Sequence, residues 1–199
     1  MQAKDISFWK NICFSDESSF CINMSTVAKK IRRKSFENPL KDQYLQKTVK
    51  HPLNLMVWGC FRNRKLGPLV IVNGYMNSAN YTEILNNHLI PFIDEETYFQ
   101  DDNAPCHRSK KVKQFIDDNK IKTIDWPANS PDLNPIENIW NLMKTRLKKR
   151  DVTSKKSLIE NLNEIWSKEI SEEYLDKLIE SMERRIEECI LNNGGQTKY

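Results

Sequence analysis

Three acidic residues, Asp16, Asp102 and Glu137, lie far apart in the 199-residue chain, each in a segment able to present a side chain. Asp16 is inside the β-prone run Ile12-Cys-Phe-Ser-Asp-Glu-Ser-Ser-Phe-Cys-Ile22. Asp102 ends the run Thr97-Tyr-Phe-Gln-Asp-Asp102, just before Asn-Ala-Pro-Cys-His. Glu137 falls in the first turn of a helix that Pro135 can open. Carboxylates are hard oxygen donors suited to Mg²⁺ or Mn²⁺, and two such ions about 3.5 to 4 Å apart suit phosphodiester cleavage and transfer. On residue type and spacing alone the plainer readings stay open. A first-turn glutamate favours the helix dipole by itself, and the aspartate pair is also compatible with an ordinary strand exit.

The neighbours of Asp102 offer further chemistry. Asn103 and His107 either approach a scissile phosphate or a metal-bound water, or cap the loop. Strand alternation turns only one of Asp101 and Asp102 toward a site, and Asp101 is expected to be a solvated carboxylate. Cys106-His107 is a poor zinc pair, because adjacent donors lack ligand spacing. The five cysteines are odd in number, scattered and without a C-x-x-C pair, so they are read as reduced, mostly buried thiols. Asp132, within Pro131-Asp-Leu-Asn-Pro135, reads as a turn or cap residue. Trp58, Trp126 and Trp140 sit in apolar patterns and are expected in the core.

The elements that must position these residues follow from periodicity. The first strand is followed by a ragged basic stretch. Leu55–Phe61 and Leu69–Val72 then form a hairpin. Polar caps at 77–80 precede a helix over Tyr81, Ile84, Leu85, His88 and Leu89 that stops near Pro91. A fourth strand over 97–102, a helix over 109–119 and a fifth strand over 122–126 come next, then the helix of Glu137. Two amphipathic helices end the chain, at about 155–170 and 172–191, the second capped by Asn192-Asn-Gly-Gly195. The expected fold is α/β: a mixed five-stranded sheet flanked by helices, in a single domain over 1–199, with a basic insertion at about 24–52 and C-terminal helices at about 155–192.

The apolar share of 39% describes a folded chain, and the 29% charged content with mean hydropathy −0.67 describes a well-solvated surface. No apolar run reaches the length that spans a bilayer, and the first residues lack the core of a signal peptide, so no membrane partner is expected. The net charge is only +4, but it is unevenly placed. Residues 29–50 carry eight Lys/Arg, including Lys29, Lys30, Arg32, Arg33 and Lys34, against two acids. Residues 144–150 carry five: Lys144, Arg146, Lys148, Lys149 and Arg150. Both runs suit phosphate contacts, which position a nucleic acid and make affinity fall with salt.

The motifs FSDESSF, LMVWGCF, YFQDDNAPCH, DWPANSPDLNPIENIW and NNGGQTKY, in this order, resemble the catalytic domain of the mariner superfamily of DDE transposases. Thirty-four residues (103–136) separate Asp102 from Glu137, the spacing of the branch whose triad is Asp, Asp, Glu. The resemblance implies a ribonuclease-H-like fold and assigns Asp16, Asp102 and Glu137 as the catalytic, metal-binding triad. It further implies two Mg²⁺ ions, with Mn²⁺ able to substitute, and double-stranded DNA, both transposon ends and target, as substrate. Cleavage at the transposon ends, joining of the 3′ ends to target at TA dinucleotides, a homodimer on paired ends and a nuclear location are implied as well. The family's N-terminal helix-turn-helix modules have no counterpart in these residues, so recognition of end sequence is expected to lie outside this polypeptide. Glu183, where the family often has proline, and HPLNLMVWG, which lacks the usual glycine pair, depart from the pattern without touching an acid. The alternative readings are a domesticated or decayed DNA-binding relative without catalysis, and a ribonuclease-H-like nuclease.

Overall fold

The computed structural model describes residues 5–21 and 54–199. The basic insertion expected at about 24–52, with Lys29, Lys30, Arg32, Arg33 and Lys34, lies outside the described residues. A short helix α1 (Ile6–Lys10) leads into β1 (Ile12–Cys21), followed by β2 (Asn54–Arg62) and β3 (Lys65–Val72). Helix α2 (Ser78–Ile84) runs into a π-helical turn (Leu85–Leu89), then come β4 (Tyr98–Gln100), α3 (Lys110–Asp118) and β5 (Lys122–Thr123). Helices α4 (Ile136–Leu147), α5 (Lys155–Lys168) and α6 (Glu172–Leu191) complete the chain. The five strands form one mixed sheet in the order β3-β2-β1-β4-β5, with the first three antiparallel and β1-β4-β5 parallel.

Alternation along β1 divides its side chains between two layers. Ile12, Phe14 and Phe20 pack with α4, α5 and α6, while Cys13 packs on the opposite face with α2 and α3. Asp16 shares the parity of Phe14 and therefore turns toward α4. Glu17 turns to the other side. The strand beside it is buried on both faces, with Val57 and Phe61 on the first and Trp58 and Cys60 on the second. Removing each such side chain from water contributes about 1.5 to 3 kcal/mol. The tryptophans are core residues: Trp58, Trp126 and Trp140 are all buried. The cysteines are free, Cys13 and Cys60 fully buried and the other three half-buried.

Gly59 occupies the point on β2 where two indoles cross the sheet. A Cβ there would stand 2.7 Å from Cη2 of Trp140 and 3.0 Å from Cη2 of Trp166. Gly59→Ala is therefore expected to cost about 1 to 3 kcal/mol through overpacking. The cost should appear as a lower urea midpoint with an unchanged slope.

Polar side chains cap the helix starts, at Asn77 as expected and at three serines besides. Asn77 accepts from the amides of Ala79 and Asn80, Ser109 from Val112, Ser154 from Ser157 and Ser171 from Tyr174. Asn193 and Gly194 close α6 at positive φ. Two strands are shorter than the sequence suggests. β4 ends at Gln100 and β5 at Thr123, and beyond β4 Asn103 takes a left-handed conformation (φ 60°). Among the described residues no helix is long and apolar enough to cross a membrane.

Candidate active site

Asp16, Asp102 and Glu137 line one cavity of about 490 Å³ whose far wall is the loop over 126–131. The sheet order explains the meeting. Parallel pairing sets the start of β4 beside the start of β1, so the chain leaves β4 level with the middle of β1. Asn134 brings the third acid in. Its buried amide donates to Ser15 O (3.1 Å), its Oδ1 accepts from Ile136 N (3.3 Å), and Pro135 then opens α4 with Glu137 in the first turn.

Asp16 is half-buried, and its Oδ2 accepts from Trp140 Nε1–H (3.1 Å). Burial, followed by the charges of Glu137 and Glu17, pushes Asp16 up to about 8. Burial also raises Glu137, against the pull of Lys144 one face-repeat along α4. Asp102 behaves oppositely. The hydrogen bond from His107 holds it below the usual carboxylate range, against partial burial, and Ala104 N–H donates to the same oxygen, Oδ1 (2.9 Å).

His107 is buried within the DDNAPCH loop. Its Nδ1 lies 2.8 Å from Asp102 Oδ1, its Nε2 lies 3.5 Å from Glu17 Oε1, and its ring stacks on Tyr81 with centroids 3.8 Å apart. Burial works against its charged form, but the Asp102 and Glu17 carboxylates on the two ring nitrogens push it up to about 10. His107 thus stands between a carboxylate at the cavity rim and a carboxylate on the other sheet face, and both favour its charged form. Glu17 went unread in the sequence, although alternation along FSDESSF already turns it away from Asp16.

Asn103 is a loop-forming residue. Its side-chain amide donates to Trp126 O (2.7 Å), and its backbone N–H donates to Asp101 Oδ1 (2.9 Å). Asp101 is not the solvated carboxylate expected: it is half-buried, closes that turn and receives the Tyr81 hydroxyl (3.4 Å). Asp132 holds the tail, accepting from Thr197 N (2.7 Å). The basic run after Glu137 divides. Lys144 is half-buried and faces the Glu137 side of α4, and Lys148 and Lys149 are exposed. Arg146 and Arg150 are instead committed to α5 and the residues after it: Arg146 pairs with Glu169 (2.6 Å), and Arg150 with Glu164 (2.8 Å) and Glu169.

The chain matches the DDE superfamily endonuclease family over residues 11–159. It is 33% identical over 196 residues to the Tcb2 transposase of Caenorhabditis briggsae, covering 96% of this chain and 71% of that protein. The solved catalytic domain of Mos1 mariner transposase is 18% identical and superposes with a TM-score of 0.70, covering 96% of this chain and 86% of that one. The Mos1 strand transfer complex is 21% identical with a TM-score of 0.76, and there the chain spans 57% of the solved polypeptide. The sheet order, the ribonuclease-H-like superposition and the sequence match agree, and the chain belongs to the DDE superfamily endonucleases as a mariner-superfamily transposase catalytic domain.

Proposed function

We propose that Asp16, Asp102 and Glu137 hold divalent cations, two Mg²⁺ with Mn²⁺ able to replace them, and that the chain cleaves DNA at transposon ends and joins the 3′ ends to target DNA. The observation that carries this reading is the single cavity into which β1, the exit of β4 and the start of α4 deliver three carboxylates. The donor set fits a hard cation. All three groups are oxygen donors, and burial raises two of them, Asp16 and Glu137. At such a site divalent cations supply an activated water or 3′ hydroxyl and stabilise the leaving oxygen.

The residues of this chain contribute position and charge. In-line displacement at phosphorus needs no protein nucleophile, so Ser130 on the far wall of the cavity has no attacking role to fill. His107 fixes the orientation of Asp102, and Trp140 fixes that of Asp16. Lys144, Lys148 and Lys149 lie along and just past α4, where they can meet the phosphates of duplex DNA. The likeness to Mos1 strand transfer and paired-end complexes, including those with Mg and with Mn, supports duplex DNA as substrate and a homodimer on paired ends. A nuclear location belongs to the same reading, since the substrate is chromosomal DNA.

Isothermal titration of Mn²⁺ into the wild type and into Glu137→Ala tests the site directly. The variant should bind at least about tenfold more weakly. Equal binding would remove Glu137 from the cation's ligands.

A further inference from the structure

The segment that presents Glu137 is held at one end by Asn134, which hydrogen-bonds β1 beside Asp16. A second set of contacts holds it from the opposite side. Arg185, on α6, is 1% exposed and spreads its guanidinium over four groups. Nε donates to Ser181 Oγ (2.8 Å), Nη1 to Asp132 O (2.6 Å) and Nη2 to Asn138 Oδ1 (2.6 Å). The ring of Tyr199 covers it, with the centroid 4.5 Å from Cζ. Asp132 precedes Glu137 in the turn and Asn138 follows it directly. The tail closes the arrangement, with Thr197 N–H on Asp132 Oδ2 (2.7 Å) and an ion pair from Lys198 to Glu188 (3.5 Å).

None of these hydrogen bonds from Arg185 ends on a carboxylate. A buried guanidinium hydrogen-bonded only to neutral acceptors carries a desolvation cost that no bonded carboxylate offsets, so stability alone does not account for it. What it adds is direction. Its planar fork of donors fixes the relative placement of the groups it meets. Those groups are the turn before Glu137, the residue after it, and the end of the chain.

We propose that Arg185 is a positioning residue. Together with residues 197–199 it clamps both sides of the Glu137 segment and so sets the metal affinity of the acid cavity. The inference rests on the metal reading above and adds the C-terminal segment to the working parts of the site.

The test measures Mn²⁺ affinity of the full 199-residue chain by calorimetry, with circular dichroism and thermal melting alongside. Arg185→Met fills the same space without the fork. It should stay folded and bind Mn²⁺ about tenfold to a hundredfold more weakly. Tyr199→Ala should weaken binding in the same direction and Tyr199→Phe should restore it. In a Glu137→Ala background Arg185→Met should have no further effect, as coupling through one residue requires. Wild-type affinity in Tyr199→Ala together with Arg185→Met overturns the clamp. If Arg185→Met fails to fold, Tyr199→Ala decides alone. Binding lost in Glu137→Ala but kept in the clamp variants overturns this inference only, whereas binding kept in Glu137→Ala overturns the metal reading and the clamp with it.

Discussion

Asp102→Asn is expected to leave the chain folded and to cut strand transfer from precleaved end DNA by about a thousandfold or more, roughly 4 kcal/mol of lost transition-state stabilisation. The amide is isosteric and can still accept from Ala104 N–H, so the loop keeps its shape. What disappears is the negative charge of the carboxylate on the cavity rim. His107 also loses its charge-assisted partner at 2.8 Å. A gel assay with Mn²⁺ or Mg²⁺, read beside the melting temperature of the same preparation, checks both halves. Strand transfer that survives this change in a folded protein would sink the assignment of Asp102.

Trp140 should separate stability from chemistry in two substitutions. It is fully buried, stacks on Trp166 with centroids 5.5 Å apart, meets the ring of Phe20 edge-on and lies against Gly59. Trp140→Ala should cost about 3 to 5 kcal/mol, a large part of the 5 to 15 kcal/mol that holds an ordinary domain together. Urea unfolding measures it. Trp140→Phe keeps most of the packing but removes the N–H that Asp16 accepts. That hydrogen bond favours the carboxylate form, so its loss raises Asp16 beyond about 8. The carboxylate then appears only at still higher pH, and the pH dependence of Mn²⁺ affinity should move in the alkaline direction. An unmoved profile would mean that the indole holds Asp16 by shape alone.

Particular residues show how far the sequence could be read. β1 and α4 were legible almost to the residue, because alternation around Phe14 and the pair Asn134-Pro135 are local signals. The meeting of the three acids in one cavity was anticipated from the family motifs, and strand order supplies the physical reason. What was lost is what only tertiary contact decides. Asp101 was expected to face water, yet Tyr81 from α2 reaches it, and nothing local to YFQDDNAPCH announces that hydroxyl. Arg146 and Arg150 looked like part of a basic run aimed at DNA, but the acids that claim them lie at Glu164 and Glu169. Glu17 was hidden for a related reason: its partner His107 arrives on the far side of the sheet from β4.

The buried thiols give the molecule a stopwatch. Cys13 and Cys60 lie on neighbouring central strands with no exposure, and burial, reinforced by Cys13, pushes the Cys60 thiol well above its ordinary range. Only the thiolate reacts with alkylating reagents, so while the sheet stays shut these two sulfurs are silent. Cys106, half-buried one residue before His107, answers to the loop instead. Mass added at Cys106 therefore times the breathing of the active-site loop, and mass added at Cys13 and Cys60 times the parting of β1 from β2. One reagent, in one native sample, dates both events without a label having to be built in.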